Sequence, residues 1–319
     1  MPRLSVVVLT LNEAHSIAAT LGSLARQDER DIEVVVIDAA STDGTGARVR
    51  ELQGTLPFPV RLHEAATQIP IGQARNLGVA MAQAPNVAFL SADAELDPTW
   101  VREALASLEY GDMAFGYQVH APHRWTLAAA VRSLRYHYPR GAVHDPLQYA
   151  SNVAAAYRRE VLVEHPFDAW ANAAEDLLLA KRAAAAGHTA VYNPRMVVRH
   201  HDVDTIRAET RKNRREGHGW GVYRRELGLQ KAVLAWGLAL LACLLILPFY
   251  PGYGAGLLAA ALWLPTLRRA VRRRRDIPWR PLLLGVAASP AFDVTYLVHY
   301  VRGLVGARFP SPAAPEVQA

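Results

Sequence analysis

A chain of 319 residues, 51% of them hydrophobic, is long enough to bury one large core or two modest ones. Its net charge of +6 is unevenly placed: arginines crowd residues 207–225 and 268–275, beside apolar runs, which suits anionic lipid headgroups, and no nucleic-acid-binding motif accompanies them. The single cysteine, Cys243, excludes an internal disulfide and any cysteine metal cluster.

In chain order, residues 4–9 (LSVVVL) form a β-branched run, followed by Thr10-Leu11-Asn12-Glu13 and then Ile17, Leu21 and Leu24 at helical spacing. The pattern of strand, polar loop and helix recurs with a strand at 32–37, a turn-rich loop at 38–45 and a helix from 47 to 52. A short strand at 60–62, a helix at 71–83 and a strand at 87–90 complete the series. Strands alternating with helices predict an α/β fold around a mostly parallel sheet with right-handed crossovers. The loops after the first, second and fourth strands then emerge at one edge, where open sheets bind ligands.

Asp93 stands at that edge, directly after the apolar strand. Neither a phosphate-binding G-x-x-x-x-G-K-S/T loop nor a strand-borne G-x-G-x-x-G is present; Gly252-Tyr253-Gly254-Ala255-Gly256 lies in the apolar C-terminal region and reads as a turn. Asp38, Ser41, Thr42 and Asp43 offer carboxylate and hydroxyl partners for a nucleotide. Without a backbone cradle for phosphates, a divalent cation on Asp93 is the natural substitute, because carboxylate oxygens suit Mg²⁺ or Mn²⁺.

Six motifs in order resemble family 2 glycosyltransferases of the GT-A fold over roughly residues 4–205. They are Thr10-Leu11-Asn12-Glu13; Asp38 with Ser41-Thr42-Asp43-Gly44-Thr45; Gly72-Gln73-Ala74-Arg75-Asn76 with Gly78; the Asp93 loop; Ser151-Asn152-Val153-Ala154 with Arg158-Arg159; and Glu175-Asp176 on a helix ending at Gly187. The resemblance implies inverting transfer from a nucleotide-diphosphate sugar, assisted by Mn²⁺ or Mg²⁺, to a lipid-linked, polysaccharide or glycolipid acceptor. It assigns Thr10, Asn12, Glu13, Asp38, Ser41, Asp43, Arg75, Asn76 and Asp93 to the donor, Asn152 and Glu175 to the acceptor, and Asp176 as catalytic base. Asp93 and His200 become the metal ligands, with His201 as the alternate.

Two departures stand out. The family's Asp-x-Asp triplet falls on Ser91-Ala92-Asp93, with Asp93-Ala94-Glu95 as a second possible register, and Ala39 replaces a frequent acid after Asp38. These departures motivate an alternative reading as a non-catalytic nucleotide-sugar-binding subunit of a glycan-synthesis complex. Residues 117–149 concentrate aromatics and imidazoles, among them Tyr117, His120, His123, Trp125, Tyr136, His137 and Tyr138, with no regular period. Either a sugar or membrane role or simple anchoring of an irregular segment accounts for them.

The C-terminal third is apolar. Residues 232–250 carry no charge and predict the most secure membrane span, 253–267 a shorter return with Pro265, and 281–301 a third crossing burdened by Asp293. The division expected is a GT-A domain at 1–210, a basic interfacial segment at 211–230, two or three membrane helices at 231–306 and a disordered tail at 307–319. With no signal peptide at Met1-Pro2-Arg3-Leu4, the expected location is the inner membrane, multi-pass, with the catalytic domain cytoplasmic.

Overall fold

The computed structural model describes residues 1–122, 124–135, 138–201, 205–274 and 276–306. His123, Tyr136, His137, Asp202, Arg275 and the expected tail at 307–319 lie outside the described residues. Elements follow in the order β1 (Leu4–Thr10), α1 (Ile17–Ala25), β2 (Ile32–Asp38), α2 (Thr45–Gln53), β3 (Val60–Glu64), α3 (Ile71–Met81), β4 (Asn86–Ser91), β5 (Ala94–Leu96), α4 (Trp100–Ser107) and β6 (Met113–His120). The second half adds α5 (Leu127–Arg135), a 3₁₀ turn (Pro146–Tyr149), β7 (Ala154–Arg158), α6 (Arg159–Glu164), α7 (Glu175–Ala185), β8 (Ala190–His200) and α8 (Ile206–Val222). Four helices close the described chain: α9 (Arg224–Leu227), α10 (Lys231–Ile246), α11 (Pro251–Arg273) and α12 (Trp279–Gly306).

One sheet runs β3-β2-β1-β4-β7-β6-β8-β5. The first four of these are parallel, β7 is antiparallel to both its neighbours, β6 and β8 are parallel, and β5 is antiparallel to β8. Alternate residues of each central strand feed separate cores, as the pleat requires. Val6, Val8, Val34, Val36 and Leu90 pack with α1, α2 and α4 on one face. Val7, Val35, Ile37, Val87 and Phe89 pack with α3, α6 and α7 on the other. The strand β5 is unannounced in the sequence because three residues carry no period. It takes the chain from the carboxyl end of β4 across the sheet edge to pair Ala94 with His200. Asp93 therefore sits on the crossing, and its carbonyl accepts from the His201 N–H at 2.8 Å.

The segment 117–149, read as irregular, contains the end of β6 and all of α5. The helix α8 runs through residue 210 without a break, and α12 lies along it at very close range. A Cβ added at Gly221 would stand 2.3 Å from the Tyr300 carbonyl oxygen, and one at Gly217 2.6 Å from that of Tyr296. The one-turn spacing of these glycines is what lets the two backbones touch.

The apolar C-terminus differs from expectation. Residues 232–250 do not form one span: α10 has 16 residues, about 24 Å at 1.5 Å per residue, short of the ~30 Å hydrocarbon core, and the chain turns at 247–250 into α11. The helix α11 carries Pro265 and ends in Arg268, Arg269, Arg272 and Arg273. Among the described residues one helix is long and apolar enough to cross a membrane, Trp279–Val305, the segment that Asp293 had made least secure. Asp293 faces other helices: Arg269 of α11 donates to its Oδ1 at 3.2 Å, and the Arg135 Nε of α5 lies 3.6 Å away.

Candidate active site

The loops after β1 and β2 are laced together. Asn12, in the left-handed region at φ 60°, donates its N–H to the Ser41 hydroxyl at 2.8 Å, and its Oδ1 accepts from the Thr42 N–H at 2.9 Å. The Glu13 N–H donates to Thr45 Oγ1 at 2.9 Å and the Ala14 N–H to Asp43 Oδ2 at 3.0 Å. Burial raises the Asp43 carboxyl, but hydrogen bonds from Thr45 and the Ala14 N–H outweigh it and hold the group below the usual range. Asp38, buried at the end of β2, accepts from the Ser41 N–H at 2.9 Å. Asn76 is likewise engaged, exchanging both amide groups with the Phe167 backbone at 2.8 and 2.9 Å.

These five residues brace the wall of the site. A cavity of about 750 Å³ opens beside it, lined by Thr10, Glu13, Arg75, Asp93, Asn152, Glu175, Asp176 and His200. Asn12, Asp38, Ser41, Asp43 and Asn76 do not line it. The cavity continues to Arg132 of α5, Lys212 and Arg215 of α8, Gln230 before α10, Arg269 of α11 and Tyr296 of α12, a half of which the sequence pointed only to the basic segment 211–223, as lying along headgroups or lending arginines to a pyrophosphate. The signal was present in the basic residues of 207–225, but nothing in their spacing indicated that they face Asp176.

Asp93 and His200 meet at the cavity floor. His200 Nε2 lies 3.2 Å from Asp93 Oδ2, while Gln118 Nε2 donates to His200 Nδ1 at 2.8 Å. Gln118 was not anticipated; a lone polar residue on an apolar strand is its only trace. Its Oε1 is buried without a hydrogen-bond partner among the described residues. A half-turn of the amide presents that oxygen to a protonated Nδ1 and frees the Nε2 lone pair for a cation. Two ligand atoms on one divalent ion at about 2.0–2.2 Å stand roughly 3 Å apart, so the pair fits a metal. Glu13 supplies a second indication: burial and then the charge of Asp93 raise its carboxyl above the usual range, a repulsion that a cation would relieve. His201 turns elsewhere, with Nε2 2.8 Å from Glu95 Oε1.

Asp176 opens α7 and is half-buried at the cavity wall. Its Oδ2 accepts from the Asn152 N–H at 3.2 Å and its Oδ1 from the Leu177 N–H at 2.8 Å. Burial, and then the neighbouring Glu175, push its carboxyl up to about 6, against the pull of Arg75. Asn152 is itself fixed: Tyr157 donates its hydroxyl proton to Asn152 Oδ1 at 2.6 Å, leaving Nδ2 buried without a partner among the described residues. Glu175 is buried and accepts from Arg75 Nη2 at 2.8 Å. The guanidinium packs against an edge-to-face aromatic pair, 5.1 Å from the Phe89 ring centroid and 5.4 Å from that of Phe167.

The raised carboxyl sets a pH expectation. If Asp176 acts as the base, kcat/KM falls about tenfold per pH unit below about 6, because the carboxylate is consumed. The same shift has the opposite sign for the fold. With its folded pKa above the unfolded value of 3.8, the group binds more protons folded than unfolded, so its contribution to stability rises as pH falls through about 6. A rate profile measured beside melting temperature separates the two: a kcat/KM that stays flat as pH falls through about 6 removes Asp176 as the titrating base.

The family model "Glycosyl transferase family 2" matches residues 5–165, half of the chain. Validoxylamine A glucosyltransferase of Streptomyces hygroscopicus subsp. jinggangensis is 39% identical over 109 residues, which are 34% of this chain and 26% of that protein. A PGL/p-HBAD biosynthesis glycosyltransferase of Mycobacterium tuberculosis is 29% identical over 155 residues, 46% of this chain and 59% of that protein. The alignment thus spans about a quarter of the first relative and under two thirds of the second. Among solved structures, the mannosyltransferase of Pyrobaculum calidifontis in complex with GDP-Man and Mn²⁺ superposes with TM-score 0.59 at 20% identity, covering 96% of this chain and 88% of that one. Residues 1–349 of Staphylococcus aureus TarS superpose with TM-score 0.54 at 19% identity, covering 96% and 92%. At such identities the superpositions speak for the GT-A fold. Together with the matched half, they establish that the chain belongs to glycosyltransferase family 2.

Proposed function

We propose that this enzyme moves a sugar, with inversion, from a nucleotide-diphosphate sugar to the hydroxyl or phosphate of a lipid-linked or glycan acceptor at the cytoplasmic face of a membrane. The observation that carries the chemistry is the Asp176 carboxyl, pushed up to about 6 and half-buried in the same cavity as the Asp93–His200 pair. In this reading Asp176 takes the proton of the acceptor hydroxyl while that oxygen attacks the anomeric carbon, and the nucleoside diphosphate leaves with the bonding electrons. An acceptor phosphate, already ionised, would need no base. Asn152 Nδ2 is free to orient the acceptor, and its backbone N–H aims Asp176. Glu13 and Thr10 line the donor side, with Arg75 at the junction of the two. Asp93 and His200 would hold Mn²⁺ or Mg²⁺, which supplies Lewis-acid stabilisation of the leaving diphosphate.

The acceptor side of the cavity supports a membrane-borne substrate. Arg132, Lys212, Arg215 and Arg269 line the end of the cavity toward the C-terminal helices. Beyond it, Leu241, Leu244, Leu245, Phe249, Tyr253, Leu257 and Leu264 of the α10–α11 region are exposed, an apolar surface suited to acyl chains. In this reading residues 1–210 carry the chemistry, the basic segment 211–230 closes the cavity on its membrane side and 231–306 engage the lipid, with α12 the one candidate span. The test is incubation of the purified chain with a panel of labelled nucleotide sugars and a membrane lipid extract. Label moving into the organic phase supports a lipid-linked acceptor, whereas release of nucleoside diphosphate with label confined to water-soluble glycan rejects it.

The metal role makes a separate expectation. Asp93→Ala is expected to weaken donor binding when Mn²⁺ is present and to leave it unchanged in excess chelator, since a carboxylate acting through a cation matters only when the cation is there. Calorimetric titration of the donor under both conditions checks this. Equal donor affinity for wild type with and without chelator would remove the metal from Asp93 and His200.

A further inference from the structure

A second cluster of ligand-type side chains lies at the opposite edge of the sheet. Glu164 ends α6, His165 caps it, and His188 follows α7 just before β8. One carboxylate oxygen of Glu164 and one ring nitrogen from each histidine all lie within 4.8 Å of one another. His188 Nε2 and Glu164 Oε2 are 3.0 Å apart, and the two imidazoles meet edge to face with centroids 5.4 Å apart. Register puts this cluster far from Asp93: β8 starts beside it at Ala190, paired with Met113, and reaches His200 only at its other end.

The backbone on both sides is fixed before any ligand arrives. Gly187 adopts φ 104°, a left-handed turn open to glycine, and the His188 N–H donates to the Ala183 carbonyl at 3.1 Å. The His165 N–H donates to the Val161 carbonyl at 2.9 Å. Behind His188, Asp112 Oδ2 stands 3.8 Å from Nδ1 and is itself held by the Thr189 N–H at 2.8 Å and the Thr189 hydroxyl at 3.0 Å. At 3.8 Å the Asp112 carboxylate makes no hydrogen bond to the ring, but its charge favours the tautomer with Nδ1 protonated, which leaves Nε2 as the ligand atom.

We propose that Glu164, His165 and His188 form a structural site for a divalent transition metal, zinc above all. Two imidazoles and one carboxylate make a nitrogen-rich N₂O set that suits zinc, cobalt, nickel or copper better than Mg²⁺ or Mn²⁺, which favour a majority of oxygen donors. Two donors bound to zinc at about 2.0–2.2 Å stand roughly 3 Å apart, the separation already present between His188 and Glu164. The half-exposed face leaves the fourth position to water. An ion here would tie the end of α6 to the turn that launches β8, and so stabilise the edge of the sheet remote from the chemistry.

The experiment uses the full chain in detergent, stripped with chelator and dialysed. Zinc is titrated against a chromogenic competitor in millimolar Mg²⁺, with Asp93→Ala run beside wild type to subtract any zinc held at the catalytic pair, and melting temperature is followed in parallel. One zinc per chain with a raised melting temperature is expected, unchanged in Asp93→Ala. His188→Gln and His165→Gln are expected to abolish stoichiometric binding, and Asp112→Asn, which removes only a nearby charge, to weaken it by less than about tenfold. Metal-free melting temperatures of the variants matching wild type exclude misfolding as the cause; a variant that fails this is replaced by Glu164→Gln, whose exposed position tolerates the change. No zinc taken up by wild type, or equal uptake by His188→Gln, overturns the site. So does uptake that disappears in Asp93→Ala, which would locate the ion in the catalytic cavity.

Discussion

Asp176→Asn is expected to lower kcat by about 10²–10⁴-fold while leaving donor affinity nearly intact. The asparagine side chain has the same shape, and one of its two positions still accepts a hydrogen bond from the Asn152 or Leu177 N–H. What it cannot do is take a proton. Because Asp176 faces the cavity from α7 while Asp93 and His200 line its floor from the β4–β5 crossing and β8, the donor half of the site is untouched. Turnover of donor and acceptor by the purified variant, with calorimetric titration of the donor, measures both quantities. Near-normal kcat excludes Asp176 as the base. A parallel loss of donor affinity would instead mean that the carboxylate positions the sugar.

The sequence made the parallel half of the fold legible and the site only in outline. Runs such as Val34-Val35-Val36-Ile37 are apolar on both faces, and a strand buried between two helical layers leaves no other pattern. By contrast β5 has three residues and β7 reads AAAYR, too short and too alanine-rich to announce a strand. Loop residues with hydrogen-bonding side chains were legible as a group, but not their division of labour. Asn12, Ser41 and Asp43 spend side-chain oxygens on backbone N–H groups of the opposite loop, a fact that depends on two loops about 29 residues apart meeting at the sheet edge. Gln118 becomes a partner of His200 only through the β6–β8 register, 82 residues apart.

Hydropathy misranked the C-terminal helices for a physical reason. A count of apolar residues in 232–250 ignores the turn at 247–250, which shortens α10, and the same count penalises Asp293 in α12 without its partners. With Arg269 and Arg135 beside it, that carboxylate is neutralised within the helix assembly instead of facing lipid. Pairs that cross elements are invisible to any window along the chain. Arg75 and Glu175, 100 residues apart, are the clearest case, since one was assigned to the donor and the other to the acceptor.

That pair sets the largest stability effect expected in the catalytic domain. Glu175→Ala leaves the Arg75 guanidinium buried against Phe89 and Phe167 with its only salt-bridge partner among the described residues removed. Arg75 already has Nε and Nη1 buried without hydrogen bonds among the described residues, so the loss of the Nη2 partner strands the whole fork. Breaking one side of a buried ion pair costs about 3–5 kcal/mol, because the remaining charge stays desolvated. Arg75→Met with Glu175→Leu, which removes both charges and keeps the volume, is expected to recover most of that cost. Urea unfolding of the three proteins gives the comparison. The same change has a second readout at Asp176, whose carboxyl is raised first by burial and then by the charge of Glu175. With Glu175 gone and the positive Arg75 still present, the acid limb of kcat/KM moves below about 6. A cost under about 1 kcal/mol together with an unmoved limb would mean that Arg75 finds water or another acid in the cavity, and that the pair anchors neither α3 to α7 nor the titration of the base.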